Sequence, residues 1–325
     1  MSTDATIAQD YSHPGRGRHV MLPALLFAAT CLSTFWTGAA SWKPIAHLGS
    51  LENAIAGFFE NLPQGSPMAA LRQAAAVSQL NFSQGLIYMA AVLGILLTHE
   101  MGHFLFARRS HIPASLPYFI PVPVIPFGTL GAVIGMEGSK ANRREMFDMG
   151  IAGPLAGLAV TLPVTLLGIW QLPAVPAAGD TFVFHNPLLF QFLIQYLRPD
   201  YATPAAFHLS QFNPFLMAGW VGMLVTGLNM LPVSQLDGGH VAYALLGRRS
   251  HLLARTLLIA AILFVLVTEQ YSWVIMIVVV TLLGADHPPT ADDHCKLGRT
   301  RGVIGWLSLA IPILCFPPMG IALAQ

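Results

Sequence analysis

Long apolar blocks, separated by short polar stretches, dominate the pattern of residues along this chain. Five blocks have about the 20 residues that an α-helix needs to cross a bilayer, and they cover 20–40, 83–107, 147–170, 214–233 and 302–323. A sixth block, 252–284, is interrupted by Glu269, Gln270 and Tyr271, which favours two short tilted helices over one long helix. The pattern predicts an all-α polytopic membrane protein with about seven transmembrane helices in a lipid bilayer.

One apolar segment, 112–135, does not fit a helix because it carries five prolines. Prolines at that spacing break an α-helix, and non-helical backbone at membrane depth needs protein or a water-filled cavity around its polar groups. We therefore predict a re-entrant extended segment packed inside the helix bundle near the active site, with a short strand within 128–136. The alternative is a proline-rich surface loop in the lipid headgroup region.

The composition excludes a typical soluble enzyme. Of the 325 residues, 10% are charged and 54% are hydrophobic, whereas soluble domains carry about 25% charged residues. The 16 Lys and Arg nearly balance the 15 Asp and Glu, and without a basic patch interleaved with aromatic residues nucleic acid is not expected as a partner. The three cysteines have no repeated spacing, so neither a disulfide framework nor a cysteine metal cluster is expected.

Lysines and arginines in the loops predict the orientation, because cytoplasmic loops carry an excess of positive residues. With the N-terminus inside, thirteen of the sixteen lie on the cytoplasmic side, and a single helix over 252–284 would lower that number to ten. We expect an integral membrane protein with its N-terminus and active site toward the cytoplasm. The first block is too long for a signal-peptide core, and the lack of an evident transit peptide favours a bacterial inner membrane over a plastid membrane.

The second block ends in the sequence THEMGHFLFARR, which contains an H-E-x-x-H motif at His99, Glu100 and His103. Residues i and i+4 share one face of a helix, so both imidazoles can bind one zinc ion while Glu100, about 100° around the helix, reaches a water as general base. Zinc lowers the pKa of such a water to about 7 and polarises a scissile carbonyl. Ionisable groups at membrane depth are costly and indicate function, although two interfacial histidines and a glutamate paired to Arg108 are the structural alternative.

A catalytic zinc site needs a third protein ligand and an open position. The sequence GLNMLPVSQLDGGH supplies Asp237 at the end of a span that points to the same membrane face as His103. Gly238 and Gly239 allow a tight backbone turn beside the metal. His240 is the alternative candidate for the third metal ligand. The other interpretation of this sequence is an ordinary loop that ends a helix and happens to contain an aspartate.

With these residues in place, the chain resembles the site-2 protease family of intramembrane zinc metalloproteases. His99, Glu100 and His103 match the family's H-E-x-x-H, and Asn229, Pro232, Asp237 and Gly238 match its N-x-x-P-x-x-x-x-D-G signature. The stretch 128–157 resembles the plastid and cyanobacterial branch. The resemblance covers about 83–250, which divides the chain into 1–82 (tail, first transmembrane helix and external loop), 83–250 (catalytic membrane core) and 251–325 (C-terminal helices).

The resemblance implies one catalytic Zn²⁺ and cleavage of transmembrane segments of single-span membrane proteins. The substrate helix must unwind, and a strand edge in the re-entrant segment can capture the extended stretch. Asn229 is a candidate to hold a substrate carbonyl or the oxyanion, or else it bonds between helices. There is no room between the core spans for the PDZ domain that some family members insert.

Two other functional classes compete with the protease. A membrane metal-ion transporter explains His99, His103 and Asp237 but gives Glu100 no role, and a catalytically inactive membrane chaperone does not need an intact motif. The natural substrate, the trigger for cleavage and the oligomeric state are not readable from the sequence.

Three smaller features receive structural interpretations. Asp148 is expected to stabilise the start of the third core span through the helix dipole. The polar segment with Asp286, His287, Asp292, Asp293 and His294 is expected to be a solvated loop, with a second metal site as the alternative. Gly150, Gly153 and Gly157 are expected to let the third core span approach the metal-binding helix closely.

Overall fold

The computed structural model describes residues 18–45, 80–172, 182–201 and 205–323. Within these ranges the α-helices are α1 Arg18–Ala39, α2 Phe82–Arg109, α3 Arg143–Trp170, α4 Leu188–Leu197, α5 Pro214–Asn229, α6 Asp237–Leu246, α7 Ser250–Thr268, α8 Val274–Leu283, α9 Arg299–Ser308 and α10 Ile311–Cys315. The strands are β1 Tyr118–Pro121, β2 Thr129–Val133, β3 Phe182–His185, β4 Ala206–His208 and β5 Ile321–Leu323.

Four helical stretches of the described chain are long and apolar enough to cross a membrane: Val20–Ala39, Phe82–Arg109, Arg143–Trp170 and Asp237–Thr268. The last is broken at Gly247, whose φ of +57° lies outside the helical region, so its membrane-length part is α7, with 19 residues. The predicted mostly helical membrane protein is confirmed at this level.

Side-chain caps set the beginnings of the core helices. Asn81 accepts a hydrogen bond from the backbone N–H of Gln84 and starts α2. Asn142 and Glu145 form a reciprocal capping box at the start of α3, which satisfies two of the free N–H groups of the first turn. Asn213, followed by Pro214, starts α5. Because of its cap, α3 begins four residues before the predicted 147, and its first turn is polar.

Neither of the two C-terminal apolar blocks forms one continuous membrane-spanning helix. The block 252–284 forms two helices, α7 and α8, which are joined at Glu269 with a φ of +57°, as the sequence predicts. The block 302–323 does not form one continuous helix. It contains α9, α10 and β5, because Pro312 begins a new short helix and Pro317 and Pro318 follow its end.

The proline-rich segment forms a two-stranded antiparallel hairpin of β1 and β2 that pairs Phe119 with Ala132. The predicted strand within 128–136 is β2. The hairpin packs on α1, where the Ser33 hydroxyl donates to the carbonyl of Gly128 and the rings of Phe27 and Phe119 lie 5.1 Å apart. This part of the chain is therefore extended, as predicted.

A small cap lies at the end of the bundle where α3 ends and α5 begins. Its antiparallel sheet has the order β4-β3-β5, and its helix is the amphipathic α4. Phe190 and Ile194 of α4 are buried, whereas Phe192 and Tyr196 are exposed. Trp220 of α5 donates to the carbonyl of His185 at 3.0 Å, so the cap is fixed to the core helices.

Small residues bring α2, α3 and α5 into close contact. A side chain at Gly102 of α2 would overlap the backbone of Ala152 in α3, and one at Gly168 would overlap Leu216 in α5. Such contacts are typical of membrane helices, where association depends on close van der Waals packing. The result is a three-helix core that holds the histidines of α2 near the start of α6.

Candidate metal centre

The H-E-x-x-H residues lie in the last third of α2 and are all buried. The one-turn spacing places the two imidazoles on the same face, with Nε2 of His99 3.2 Å from Nε2 of His103. Glu100 lies beside them and interacts electrostatically with His103 and with Asp237. Two nitrogen donors therefore converge on one point, with a carboxyl group next to it.

Asp237, the first residue of α6, completes this group. Its Oδ2 lies 3.2 Å from Nε2 of His99 and 3.3 Å from Nε2 of His103. Among the described residues, these three form the group of His, Cys, Asp and Glu side chains whose donor atoms lie close enough to hold one metal ion. The structure thus brings together residues that are 138 positions apart in sequence.

The spacing of the three donors fits zinc. Zinc–nitrogen and zinc–oxygen bonds of about 2.0 to 2.1 Å in a tetrahedron place neighbouring donor atoms about 3.3 to 3.4 Å apart. The observed separations are 3.2 and 3.3 Å. Two imidazoles and one carboxylate are a zinc donor set, and three protein ligands leave the fourth tetrahedral position free for chemistry.

The backbone of α3 orients the second imidazole. Nδ1 of His103 lies 2.9 Å from the carbonyl oxygen of Met149. An N–H at Nδ1 donates to this carbonyl and leaves the lone pair of Nε2 directed at the centre. Such a hydrogen bond fixes both the tautomer and the ring plane of a metal-binding histidine.

Glycines on α3 leave room for these rings. A Cβ at Gly153 would overlap the imidazole of His103, and one at Gly157 would lie 3.0 Å from Nδ1 of His99. At Gly150 a Cβ would lie 2.8 Å from Cβ of His240. The prediction that these glycines let α3 approach the metal-binding helix α2 is confirmed for Gly153 and Gly157, whereas Gly150 instead lets α3 approach α6.

The turn between α5 and α6 also depends on glycine. A Cβ at Gly238 would overlap the carbonyl of Met230, and one at Gly239 would overlap the carbonyl of Ser234. Ser234 has a φ of +56°, and left-handed backbone at a non-glycine residue is uncommon outside functional turns. This tight turn delivers Asp237 to the histidines.

Asn229, the last residue of α5, points at the same centre. Its Nδ2 lies 3.3 Å from Nε2 of His99. A metal ion on that nitrogen would occupy the lone pair, which leaves the amide N–H groups of Asn229 available to another acceptor beside the ion. The side chain therefore presents hydrogen-bond donors beside the metal centre.

His240, the rival ligand, is not part of the donor group. Its Nδ1 lies 2.6 Å from Nε2 of His287, so the ring is engaged with the segment between α8 and α9. The spacing of three residues from Asp237 explains why the sequence offered it as a ligand. Its partner lies 47 positions downstream, and no local pattern indicates that pairing.

The residues considered for a second metal site have other partners. Asp286 forms an ion pair with Arg255, and Asp293 accepts hydrogen bonds from the hydroxyls of Tyr243, at 2.8 Å, and Thr290, at 2.6 Å. The Arg255 guanidinium holds the pKa of Asp286 below its usual range. These carboxylates hold the segment in place, and the predicted fully solvated loop is wrong at His287, which is buried.

Asp148 is structural, but not for the expected reason. It lies in the second turn of α3 because the helix begins at Arg143, and the helix dipole acts mainly within the first turn. Its carboxylate instead accepts two hydrogen bonds from Arg301 of α9, at 2.8 and 2.9 Å. The pair fixes the C-terminal helices to the core.

The family model described as peptidase family M50 matches residues 87–268. The chain belongs to this family. The match includes all five predicted site residues, and the resemblance to site-2 proteases is thereby confirmed; the boundaries of the three predicted regions stay a prediction.

Plant proteins are among the similar chains. "Probable zinc metalloprotease EGY1, chloroplastic" of Arabidopsis thaliana is 36% identical over 163 residues, which are 49% of this chain and 29% of that protein. The Arabidopsis EGY2 protein of the same description is 33% identical over 168 residues, 51% of this chain and 29% of that protein. The rice (Oryza sativa subsp. japonica) EGY1 protein is 31% identical over 249 residues, 74% of this chain and 41% of that protein.

The M50 chain thus spans less than half the length of these relatives. They are named as chloroplastic, which supports the predicted plastid-like branch but does not support the predicted bacterial inner membrane. No solved structure is significantly similar to the chain.

Proposed function

We propose that this M50 chain is an intramembrane zinc metalloendopeptidase that cleaves transmembrane segments of single-span membrane proteins. The observation that carries the proposal is the donor group of His99, His103 and Asp237, spaced 3.2 to 3.3 Å apart, with buried Glu100 next to it. The named zinc metalloprotease relatives support the same reaction class.

The chain's own residues divide the work of peptide hydrolysis. Zinc held by His99, His103 and Asp237 would supply Lewis acidity toward a water and a peptide carbonyl. Glu100 accepts the proton of the attacking water and returns it to the leaving amide nitrogen. Asn229 donates a hydrogen bond to the carbonyl oxygen as that atom becomes negative.

Glu100 separates the protease from a metal-ion transporter. A transporter needs ligands along a path, whereas a buried carboxyl beside the ligands, held on their own helix, is the arrangement of a general base. The intact motif also separates the protease from an inactive membrane chaperone, whose function would be insensitive to a zinc chelator.

Substrate capture is the second part of the proposal. A helical peptide bond is shielded by its own hydrogen bonds, so the scissile segment must become extended, and the hairpin of β1 and β2 offers a strand edge for β-augmentation. Leu130 and Val133 of β2 are 65% and 56% exposed. In a cysteine-free background, Leu130→Cys should cross-link to a cysteine near the scissile bond, whereas Leu105→Cys, on α2 and 57% exposed, should not. Equal cross-linking would contradict capture by β2.

We infer seven membrane crossings: α1, α2, α3, α5, α7, α8 and the broken segment of α9 and α10. Arg301 of α9 binds Asp148 near the start of α3, while β5 pairs with β3 in the cap beyond the end of α3. The segment from 299 to 323 therefore runs the same way as α3 despite its break. The positive-inside rule places the N-terminus and the metal centre toward the cytoplasm, and the hairpin then enters the bilayer from that side.

The central experiment compares Glu100→Gln with the parent chain, purified at full length, on a model single-span substrate. We expect cleavage to fall by about 10²-fold or more because the general base is lost, while the zinc content stays the same. Glu137→Gln, at an exposed glutamate paired with Lys140, is the matched control and should cleave normally. A zinc chelator should stop cleavage and added zinc should restore it. Full cleavage by Glu100→Gln would contradict the assigned base.

A further inference from the structure

The segment between α8 and α9, residues 285–297, crosses the bundle beside the metal centre; we refer to it as the strap. Glycines with left-handed φ values, +84° at Gly284 and +85° at Gly298, bound it on both sides. Its backbone bonds to two elements of the site. The N–H of Ser234, in the turn before Asp237, donates to the carbonyl of Ala285 at 3.1 Å, and the N–H of Ala291 donates to the carbonyl of Ala141 at 2.9 Å.

His287 is the side chain of the strap that enters the protein. It is 4% exposed, its Nε2 lies 2.6 Å from Nδ1 of His240, and its ring stacks on Tyr243 at 4.6 Å and 19°. His240 and Tyr243 are three residues apart on α6, so they share one face of that helix. The Tyr243 hydroxyl also donates to Asp293 of the strap at 2.8 Å. One face of α6 is thus bound to the strap through side chains.

The position of α6 decides where the third ligand lies. Both histidine ligands lie on α2, a helix of 28 residues packed in the core, whereas Asp237 begins a helix of ten residues. A helix this short is not stable without tertiary contacts. On one side, α6 rests on α3, where Gly150 lies against His240 and the carbonyl of Asp237. The strap supplies contacts on the face of His240 and Tyr243.

The imidazoles of His240 and His287 meet edge to face, at an interplanar angle of 83°, and form a directional contact. Nδ1 of His287 lies against the carbonyl oxygen of Pro288, to which its N–H donates. Nε2 of His287 then accepts from the N–H at Nδ1 of His240. A hydrogen bond between buried groups fixes orientation more strictly than apolar packing, because a buried nitrogen left without a partner is costly.

We propose that His287 is a positioning residue for the metal centre, which fixes His240 and thereby the place of the Asp237 carboxylate relative to the two histidine nitrogens. The proposal rests on the proposed zinc site. It assigns His287 no contact with substrate or metal. It predicts that a change at His287 alters how the centre binds a metal ion, not only how stable the chain is.

The test measures metal binding by the purified full-length chain. Zinc affinity is determined by competition with a chromophoric chelator, and the visible absorption of the Co²⁺-substituted chain reports the ligand geometry. We expect His287→Ala to weaken zinc binding by about tenfold or more, the range found when a group that supports a metal ligand is removed, and to change the Co²⁺ spectrum. His287→Gln can place an amide where Nε2 lies and should recover most of the affinity.

His294→Ala is the matched control, because His294 belongs to the same strap and is exposed; its affinity and spectrum should equal those of the parent. His287→Phe keeps a stacked ring and protects the buried site from collapse, and it should bind zinc as weakly as His287→Ala. If the His287 variants keep the parent affinity and spectrum, or if His294→Ala loses as much, the positioning role is overturned. A parent chain that binds no zinc contradicts the proposed function itself and removes the basis of this inference with it.

Discussion

At the scale of single residues, the metal centre depends on the absence of side chains as much as on their presence. The imidazole of His103 occupies the space that a Cβ of Gly153 would need. Gly94, on the same helix as His103, has no neighbouring heavy atom within 4 Å of the position of a Cβ. The two glycines therefore form a natural pair for testing whether the packing of α3 on α2 sets the site.

We expect Gly153→Ala to displace His103 and to weaken zinc binding by on the order of tenfold or more. Gly94→Ala should leave zinc affinity unchanged, since alanine is favoured over glycine within a helix. Zinc affinity and peptide cleavage of both variants decide the matter. Parent-like zinc binding by Gly153→Ala would mean that α3 yields and does not fix His103.

Asn229 permits a second test at this scale. If its amide donates to the carbonyl oxygen only as charge develops, Asn229→Ala should lower kcat by about 10²- to 10³-fold. KM and zinc content should change little, because Asn229 is not one of the three metal ligands and its amide acts on the carbonyl oxygen only as charge develops. A variant that loses zinc instead would show that the 3.3 Å contact with His99 serves the metal ligand, and Asn229 would then be a structural residue.

The sequence predicts most of this site because the decisive spacings are local. His99 and His103 are one helical turn apart. Asp237 can be predicted because successive spans alternate in direction, which puts the end of the Asp237 span at the same membrane face as the end of α2. The role of His240 could not be predicted, because its partner His287 is 47 residues away and lies in a polar segment that looks solvated. His287 becomes a buried residue only when the strap folds against α6.

At the scale of elements, hydropathy locates helices but not their ends or breaks. The first turn of α3 is polar, so an apolar window misses it, although the Asn142–Glu145 pair is visible in the sequence as a capping signal. The block 302–323 is apolar throughout, so an average over it conceals Pro312, and the strand β5 forms only because β3, well over a hundred residues earlier, pairs with it. Non-local pairing of this kind leaves no local pattern.

The strap should become less stable in acid because of His287. Its pKa is lowered by burial and by His251, while Asp293 of the strap partly opposes the shift; His240 and Tyr243 of α6 face the same ring. A histidine whose pKa lies below the usual value of about 6.5 takes up a proton on unfolding, so stability falls as the pH drops below 6.5. The stability is fully present above that value.

We therefore expect the thermal stability of the parent chain to exceed that of His287→Gln by more at about pH 8 than at about pH 5, because glutamine does not titrate. Tryptophan fluorescence during heating of the two chains at both values measures the difference. Comparing the two chains cancels the titration of the groups that do not interact with His287. A constant difference would mean that folding leaves the pKa of His287 unchanged, and a difference that grows toward acid would mean that folding raises that pKa.

At the scale of the whole molecule, the direction of the chain through the membrane connects the cap, the metal centre and the strap. Trp170 ends α3 and is 82% exposed, as are aromatic residues that lie at a membrane interface. The cap of α4 and β3–β5 lies beyond it, whereas the strap lies at the opposite end, where Arg301 meets Asp148. The seven proposed crossings put the cap and the strap on opposite sides of the membrane, and the proposed orientation puts the cap outside and the strap inside.

Single cysteines in a cysteine-free background test this arrangement in intact cells with a membrane-impermeant maleimide. Tyr196→Cys in the cap, where the tyrosine is 86% exposed, should be labelled directly, and Met319→Cys, where the methionine is 37% exposed, should be labelled likewise because β5 pairs with β3. His294→Cys in the strap should react only after permeabilisation.

Three crossings, α5, α7 and α8, separate Tyr196 from His294, so labelling of both from outside would contradict that odd number. Labelling of Met319→Cys only from inside would mean that α9 and α10 turn back and that the seventh crossing does not exist. A reversal of all three labelling patterns would keep the crossings but invert the orientation that the lysines and arginines predict.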